Sequence, residues 1–322
     1  MIALLASCGW VALQLGSPAD PADDASIPFE VKPGSTARGL GPQLESAGVI
    51  GDGRRFTGYV RLTGEGGCIK AGNFLLGRDM SAQEILDTLC EAPIPEDVPF
   101  TVVEGWRIRE IDAALTLEGW ITEGDYASLA SSPAEFEASF DLPGDTLEGY
   151  LFPETYRVIP ETFDPREFIQ RQLDTLGRSF VQPNVESLPD RGLHEIVTMA
   201  SMLEREEPTA ANRPLVAGIL WKRLDADWNL GVDATSRYSL ENWNDRRAFL
   251  ARLRDPEDPY NTRLRPGLPP TPIGNPGISA LEAALTPEAS EYWYYLHDAQ
   301  QNLHPTRNGR EHEQMRRRYD VY

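Results

Sequence analysis

Short alternating runs of apolar and polar residues are followed by stretches with helical spacing, and this arrangement occurs twice. Phe29-Glu-Val-Lys-Pro-Gly-Ser35 is typical of a strand and turn, and residues 36–47 have the spacing of a helix. Phe100-Thr-Val-Val-Glu-Gly-Trp106 begins the second copy, with helical spacing over residues 107–117. In both copies an Ile lies 21 residues after the leading Phe. The N-terminal third of the chain is therefore predicted to consist of small strand-turn-helix units.

The rest of the chain is predicted to form helices, two further strands and an irregular segment. Between the two copies, residues 68–76 can form a strand, and the capping box Ser81-Ala-Gln-Glu84 starts a helix over residues 81–89. Residues 255–277 contain repeated Pro and Gly, which excludes regular structure and is typical of a functional segment. Further helices are predicted over residues 122–145, 163–176, 193–206, 214–224, 279–285 and 311–318, and an aromatic strand over 291–297. This pattern predicts an α+β fold.

The composition limits the classes of function. At roughly 150 residues per domain, the 322 residues suggest about two domains. Hydrophobic residues make up 41% and aromatic residues 9%, which is enough for a packed interior and excludes a disordered acidic tail. Asp and Glu number 50 against 30 Lys and Arg, for a formal net charge of -20. This balance argues against a nucleic-acid partner, because affinity for phosphate backbones depends on Lys and Arg.

The first 16 residues carry no charge and are mostly apolar, but they are fewer than the ~20 needed for a membrane-spanning helix. We interpret them as the remnant of a membrane anchor or signal segment whose basic start lies upstream, rather than as a buried terminal helix. Leu5-Ala-Ser-Cys8 has the shape of a lipoprotein processing site, although no basic region precedes it. Residues 17–26 form a linker into an extracytoplasmic body, so that remnant and linker together span residues 1–26.

The sequence predicts no metal site and no cofactor. Neither the three Cys nor the four His residues have metal-ligand spacing, and no Gly-rich phosphate loop follows a predicted strand. Cys68 and Cys90 bracket one predicted strand and helix, so a single bridge between them and two small buried thiols are both open alternatives. Tyr292-Trp-Tyr-Tyr295 offers aromatic faces for sugar stacking, but aromatic residues in a strand more commonly lie in the core.

One carboxylate lies on the apolar side of a predicted helix. Projected at about 100 degrees per residue, residues 193–206 place Leu, Ile, Val and Ala side chains on one face. Glu204 lies roughly 45 degrees from the centre of this face, whereas Glu195 and Glu206 point away from it and are expected to be solvated. Burial raises the pKa of a carboxyl group, as a general acid near neutral pH requires. Glu204 is therefore a candidate catalytic acid; the alternatives are a pair with an Arg or a place at the rim of the fold.

An ordered series of motifs resembles the endolytic murein transglycosylases of the MltG (YceG-like) type, from about residue 28 to residue 319. Each motif alone is weakly specific, but the whole series in this order is strongly specific. Arg205 stands where the family commonly has Lys, Ala234 stands where it has Pro, and the segment around His304 matches only loosely. The motifs are Lys32-Pro-Gly-Ser35, Lys70-Ala-Gly-Asn-Phe74, Val103-Glu-Gly-Trp106, Leu147-Glu-Gly-Tyr-Leu-Phe-Pro-Glu-Thr-Tyr156, Met199-Ala-Ser-Met-Leu-Glu-Arg-Glu206, Gly231-Val-Asp-Ala-Thr235, Tyr260-Asn-Thr262, Gly267-Leu-Pro-Pro270, Ile273-Gly-Asn-Pro-Gly277 and Glu311-His312.

This resemblance implies an enzyme that cleaves the MurNAc to GlcNAc bond inside peptidoglycan glycan strands without water, leaving a 1,6-anhydro-MurNAc end. It implies a LysM-like glycan-binding subdomain over residues 27–98 and a catalytic domain over residues 99–322, with the catalytic Glu at Glu204. It also implies a single-pass inner-membrane protein whose catalytic domain lies in the periplasm and which associates with cell-wall synthases.

A single carboxyl group is sufficient for this reaction. A glycoside hydrolase uses two carboxyl groups, because one of them must activate water or attack the sugar. In a lytic transglycosylase the substrate's own 6-hydroxyl is the nucleophile, so Glu204 can protonate the leaving oxygen and then accept the hydroxyl proton. For Asp233, a turn or helix cap is an equal alternative to a substrate contact. The resemblance places these residues in the substrate cleft: Glu148, Tyr150, Glu154, Thr155, Asp233, Tyr260 and Asn261.

Two other functions are compatible with the sequence. One is a non-catalytic peptidoglycan-binding scaffold with the same fold. The other is a glycoside hydrolase that pairs Glu204 with Asp233 or Glu148. The mass of the product distinguishes hydrolysis from transglycosylation, because only hydrolysis adds water to the cleaved end.

Overall fold

The computed structural model describes residues 17–23, 25–188 and 191–320. Within these ranges no helix is both long enough and apolar enough to cross a membrane. The apolar run of residues 1–16, interpreted above as an anchor remnant with a lipoprotein-like site at Leu5 to Cys8, lies outside the described residues.

The chain divides into two compact units, with the boundary between Asp97 and Val98. Each unit has a hydrophobic core of its own. The strands of the described residues form three two-stranded antiparallel sheets, and helices supply most of the remaining regular structure. This is the α+β class that the apolar pattern predicts.

The described residues of the first unit form two paired strands and three helices. The strands β1 and β2 pair antiparallel, with Phe29 opposite Phe74. Both of these side chains are buried in the core of this unit. The elements in chain order are β1 (Ser26–Val31), α1 (Ala37–Ser46), α2 (Gly53–Thr63), β2 (Gly72–Gly77) and α3 (Ala82–Cys90).

Helix α2 is absent from the sequence-based expectation, although its signals are present. Phe56, Tyr59 and Val60 have helical spacing and are buried, and the Asp52 side chain accepts hydrogen bonds from the first backbone N–H groups. Helices α1 and α2 approach so closely that a Cβ on Gly41 would overlap the Gly53 carbonyl oxygen. The two glycines therefore make this helix pair possible.

The open question about the cysteines is resolved in favour of a bridge. Cys68 and Cys90 form a disulfide with a Cα to Cα distance of 5.0 Å. The bridge ties the segment before β2 to the last residue of α3. It adds a covalent link to a unit whose core is small.

The second unit contains nine helices and two sheets among its described residues. Strands β3 and β4 pair antiparallel, and β5 pairs with β6 in the same sense. Its elements are β3 (Val98–Thr101), α4 (Ile108–Leu117), α5 (Asp125–Ala130), β4 (Thr155–Val158), α6 (Pro165–Leu176), α7 (Gly192–Glu206), α8 (Arg213–Asp225), α9 (Asp233–Tyr238), α10 (Arg246–Arg252), α11 (Ile278–Leu285), β5 (Tyr294–His297), β6 (Leu303–Thr306) and α12 (Gly309–Tyr319).

The two copies seen in the sequence have the same element order. In each, a strand leads into a helix, a second helix follows, and a later strand pairs antiparallel with the first. Gly34 and Gly105 occupy equivalent turn positions, and both have φ of 79 degrees. This left-handed conformation favours glycine, so the turn is preserved by backbone chemistry rather than by side chains.

The prediction of a long helix over residues 122–145 is wrong for most of its length. Only α5 and a 3-10 turn at Pro133–Glu135 are helical there, and the remainder is irregular. Gly124, with φ of 92 degrees, precedes α5, and Pro133 and Pro143 interrupt the acidic stretch. The irregular segment over residues 255–277 is confirmed, since it contains neither helix nor strand.

Helices α7, α8 and α11 form the centre of the second unit. The predicted apolar face of α7 is confirmed, because Ile196, Val197, Ala200 and Leu203 are all buried in this core. Helix α11 packs against α7 and α8, and Trp221 on α8 donates its indole N–H to the Ala284 carbonyl. The last turn of α7 is thus fixed on a rigid scaffold.

Candidate active site

Glu204 lies in the last turn of α7, at the edge of the buried face. Only 6% of its side chain is exposed to solvent. Glu195, on the opposite side of the same helix, is exposed as the projection predicts. The structure shows the burial of Glu204 that the sequence predicts. It also shows the pair with an Arg that was the alternative interpretation.

Two partners bind the Glu204 carboxylate. The Arg213 guanidinium donates to both oxygens, at 2.6 Å to Oε1 and 3.2 Å to Oε2. The Gly277 backbone N–H donates to Oε2 at 3.0 Å. Gly277 is the N-cap of α11, so the carboxylate lies at the positive end of that helix. Both contacts stabilise the ionised form of Glu204.

Opposing influences set the pKa of Glu204. Burial raises it, Arg213 and the Gly277 N–H lower it, and the negative charge of Glu104 raises it again. The net effect is a pKa above the ordinary value of a Glu carboxyl. A group in this balance can release a proton and take one back, which general acid–base catalysis requires.

The turn of residues 103–106 packs directly against this carboxylate. The Arg205 guanidinium donates to the Gly105 carbonyl, and a Cβ on Gly105 would lie 3.4 Å from Glu204 Cγ. Asn275 fixes the turn from the other side, because its carbonyl accepts from Gly105 N–H at 2.7 Å and its own N–H donates to Trp106 at 2.8 Å. The first half of the unit and the irregular segment therefore meet at Glu204.

Glu104 is a site residue that sequence reasoning missed. Its carboxylate lies against Gly277, at a point where a Cβ on residue 277 would overlap it. Gly277 is the same residue that donates to Glu204, so two carboxylates share one backbone neighbour. Glu104 is exposed, unlike Glu204. The available signal was its place in the Val103-Glu-Gly-Trp106 motif, but nothing in the local sequence places that turn beside α7.

Glu148 is buried beneath this region, with 2% of its surface exposed. It accepts hydrogen bonds from the Ile108 N–H at 3.1 Å and from the Tyr238 hydroxyl at 3.1 Å. Burial raises its pKa to about 8, so Glu148 retains its proton at neutral pH. Tyr238 packs on Tyr260, with 4.7 Å between ring centroids, and the Tyr260 hydroxyl lies 2.8 Å from that of Thr271.

Four other residues implied by the resemblance have different surroundings. Tyr150 is buried, and its hydroxyl lies 2.9 Å from His194 Nδ1. Glu154 and Thr155 are exposed where β4 begins. Asn261 is buried, and its amide donates to the carbonyls of Arg252, at the end of α10, and of Asp255, so it ties the irregular segment to that helix.

Asp233 and Glu206 line a second cavity. Asp233 is the first residue of α9 rather than its cap, and it accepts from Arg263 at 2.6 Å. The expectation that Glu206 is solvated is wrong: its side chain is half-buried and accepts hydrogen bonds from the Ala234 N–H and the Tyr295 hydroxyl, and burial raises its pKa. The projection failed because α9 and β5 cover the side of α7 that faces away from α11.

The histidines are engaged by nearby side chains. His297 Nε2 lies 2.9 Å from the buried carboxylate of Glu207, and His304 Nε2 lies 2.8 Å from that of Asp298. His304 also stacks on Tyr319, which fixes its ring in place. These contacts fit structural roles for His297 and His304.

Known proteins are similar to this chain in sequence. Residues 29–318 match the YceG-like family. The endolytic murein transglycosylase of Bacillus subtilis (strain 168) is 26% identical over 317 residues, which are 94% of this chain and 87% of that protein. The endolytic murein transglycosylase of Streptococcus pneumoniae serotype 2 (strain D39 / NCTC 7466) is 25% identical over 330 residues, covering 92% of this chain and 59% of that protein.

A solved structure agrees with these matches. The crystal structure of a yceG-like protein from Listeria monocytogenes is similar with a TM-score of 0.57 and 25% sequence identity, over 91% of this chain and 99% of that one. The family match covers most of the chain, including Glu104, Glu204 and Gly277. The chain therefore belongs to the YceG-like family.

Proposed function

We propose that this protein is an endolytic peptidoglycan lytic transglycosylase in which Glu204 is first the general acid and then the general base. The observation that carries this proposal is the environment of Glu204: a buried carboxyl with a raised pKa, bound by Arg213 and the Gly277 N–H. Relatives that match nearly the whole chain are named endolytic murein transglycosylases.

The first step uses the proton of Glu204. Glu204 transfers it to the glycosidic oxygen as the bond from MurNAc C1 to that oxygen breaks, so the departing GlcNAc gains a hydroxyl. Arg213 and the Gly277 N–H stabilise the carboxylate that remains. The nearby negative charge of Glu104 favours the positive charge that develops at the anomeric carbon.

The second step returns the proton to Glu204. The 6-hydroxyl oxygen of the same MurNAc bonds to C1 and its proton moves to the Glu204 carboxylate, which gives the 1,6-anhydro ring without water. We propose that Glu148, Tyr238 and Tyr260 support the cleft, with Glu148 kept neutral by burial. Tyr150, Glu154, Thr155, Asp233 and Asn261 are the further cleft residues of the proposal, with Asn261 and Tyr150 acting from the interior.

The first unit is proposed to be a LysM-like glycan-binding subdomain. Its support is the strand-helix-helix-strand order of β1, α1, α2 and β2 with antiparallel pairing. We further propose the domain limits 27–98 and 99–322, a periplasmic location, attachment to the inner membrane through an N-terminal anchor, and association with cell-wall synthases. The location would be tested by detecting the protein in washed inner-membrane vesicles whose periplasmic face is outside, with the catalytic domain open to external protease.

One observation favours a second function, a glycoside hydrolase. Glu104 and Glu204 both lie against Gly277, so a second carboxylate is present near Glu204, and a two-carboxylate mechanism uses such a pair. Asp233 pairs with Arg263, and Glu148 is buried with its proton, so neither fits that role as well as Glu104 does.

The test of the proposed function is the Glu204→Gln substitution. Gln keeps the size and one acceptor of the side chain but cannot transfer a proton. We expect the variant to fold and to release no anhydro-ended fragments from purified sacculi, a loss of about 1,000-fold or more. Glu195→Gln on the exposed face of α7 is the matched control and should leave the rate unchanged. Undiminished release by Glu204→Gln would exclude Glu204 as the acid.

A further inference from the structure

The second cavity has a volume of about 530 Å³, and Glu204 is not among the residues that line it. It lies where the ends of α7 and α8 meet the start of α9, strand β5 and helix α12. The residues used below that line it are Glu206, Arg223, Asp233, Arg263, Tyr294 and Tyr295.

A guanidinium on one wall of this cavity has no acidic partner. Arg223 donates Nε–H to the Trp293 carbonyl at 2.8 Å and Nη1–H to the Leu230 carbonyl at 2.6 Å. Within the described ranges no carboxylate forms an ion pair with Arg223. Arg223 is half-buried, and this burial lowers its pKa.

A carboxyl group on the facing wall has no basic partner. Glu206 accepts from the Ala234 N–H at 3.3 Å and from the Tyr295 hydroxyl at 3.4 Å, and no Lys, Arg or His of the described chain lies within ion-pair distance of it. Asp233 lies close enough for its negative charge to act on Glu206. An unpaired buried charge costs free energy unless something binds to it. Glu206 and Arg223 therefore line one cavity without forming an ion pair, although the charge of Glu206 acts on Arg223 and that of His297 acts on Glu206.

We propose that this cavity binds a group carrying an ammonium and a carboxylate, as presented by the diamino-acid residue of a peptidoglycan stem peptide. The ammonium would bind Glu206 on the Asp233 side, and the carboxylate would bind Arg223. The rings of Tyr294 and Tyr295 lie within 6 Å of the Arg223 guanidinium and offer an apolar wall for the methylene chain. A neutral sugar would leave both charges unpaired, so it fits this cavity less well.

The position of the cavity suits a peptide attached to the sugar that is cleaved. Glu206 and Glu204 are in the same last turn of α7, on different faces of the helix. The MurNAc residue at which Glu204 would act is also the residue that bears the stem peptide. This inference rests on the proposed function for its choice of substrate, but the cavity and its separated charges do not depend on it.

The test is a calorimetric titration of the full chain with the tripeptide L-alanyl-γ-D-glutamyl-meso-diaminopimelate. We expect binding, and we expect Glu206→Gln and Arg223→Gln each to weaken it about 10-fold or more, because each removes a charge-assisted contact. Arg246→Gln, at an exposed Arg outside the cavity, is the matched control. The same tripeptide acetylated on the side-chain amine of its diaminopimelate residue should lose affinity by a similar factor, and this comparison needs no variant to fold.

Three results would overturn the inference: no binding, equal binding of the free and acetylated peptides, or competition by a peptide-free GlcNAc tetramer. The last result would make the cavity a glycan subsite. The tripeptide has no glycosidic bond, so its binding is measured independently of cleavage. Release of anhydro-ended fragments without tripeptide binding would reject only this inference, whereas tripeptide binding without release would reject only the transglycosylase activity.

Discussion

The two strand-turn-helix copies share a backbone turn but differ in what surrounds it. Gly34 and Gly105 both have φ of 79 degrees. A Cβ on Gly34 would meet no atom of the described chain within 4 Å, whereas a Cβ on Gly105 would lie 3.3 Å from Arg205 Nε and 3.4 Å from Glu204 Cγ. The residue before the glycine is Pro33 in the first copy and Glu104 in the second. One motif therefore supplies an open turn in one unit and a wall of the candidate active site in the other.

The starts of the two helices differ in the same way. Helix α1 is capped locally, because the Thr36 side chain accepts from the Gly39 N–H at 3.3 Å. At the start of α4, the Arg107 N–H donates locally to Glu110, and the Ile108 N–H donates in addition to Glu148, a residue far along the chain. The first copy is stabilised by local contacts and a disulfide, whereas the second adds a buried long-range contact to its local ones.

The largest expected difference comes from substituting the two glycines. Ala at either position adopts the left-handed conformation at a cost of about 1–2 kcal/mol. At Gly105 it also presses on Glu204 and Arg205, so we expect Gly105→Ala to lower the rate of fragment release by about 100-fold. Gly34→Ala should cost stability only. Rates on sacculi and thermal unfolding of both variants measure this, and equal losses of rate would remove the contrast.

The disulfide provides a test of how independent the two units are. Cys68 and Cys90 are 22 residues apart, and opening a loop of this size costs about 3 kcal/mol of stability. We expect Cys68→Ser to lower the unfolding free energy of the first unit, and reduction of the wild-type bridge to have the same effect. The environment of Glu204 lies wholly in the second unit, so cleavage of short soluble glycans should be unchanged. A parallel loss of that activity would contradict the separation.

The stability of the second unit should depend on pH through Glu148, which can ionise. Thr36, at the corresponding helix start of the first unit, cannot ionise and gives no such dependence. Its folded pKa of about 8 lies above the ordinary value, so its contribution to stability is complete below about pH 4.5 and is lost as pH rises through 8. We expect Glu148→Gln to remove this decline. The stability difference between variant and wild type should therefore grow with pH from 5 to 8, by at most about 1.4 kcal/mol per pH unit. Chemical denaturation at several pH values measures it, with exposed Glu118→Gln as control.

The smallest expected effect concerns Glu104, the side chain that distinguishes the two turns. Its charge raises the pKa of Glu204, so Glu104→Gln should lower that pKa. Because the proposed reaction starts from the acid form of Glu204, the decline of rate at high pH should begin at a lower pH, by about one unit or less. A pH–rate profile of both proteins measures the shift. An unchanged profile would show that Glu104 does not act on Glu204.

Local patterns predicted the elements whose signals are local. The two copies, the buried face of α7 and the irregular segment of residues 255–277 follow from periodicity, Pro and Gly. Helix α2 had the same kind of signal in Phe56, Tyr59 and Val60 and was predictable. The acidic composition of residues 122–145 favours a helix, but Pro133 and Pro143 interrupt the stretch and most of it is irregular.

The site was predictable only in part. Projection identified Glu204, because burial on one helix face is a property of α7 alone. Glu104, Arg213 and Gly277 reach it from three other elements, and their meeting depends on tertiary packing. The burial of Glu206 likewise arises from α9 and β5, which no projection of α7 includes.

The central claim is that Glu204 acts alone on a substrate that supplies its own nucleophile, although Glu104 lies nearby. Digestion of purified sacculi by the wild-type protein in heavy-oxygen water, followed by mass spectrometry of the released glycan, tests it most directly. The account predicts fragments with 1,6-anhydro-MurNAc ends, lighter than hydrolysis products by one water and free of heavy oxygen. Fragments with reducing ends that carry heavy oxygen would contradict it and identify a two-carboxylate hydrolase.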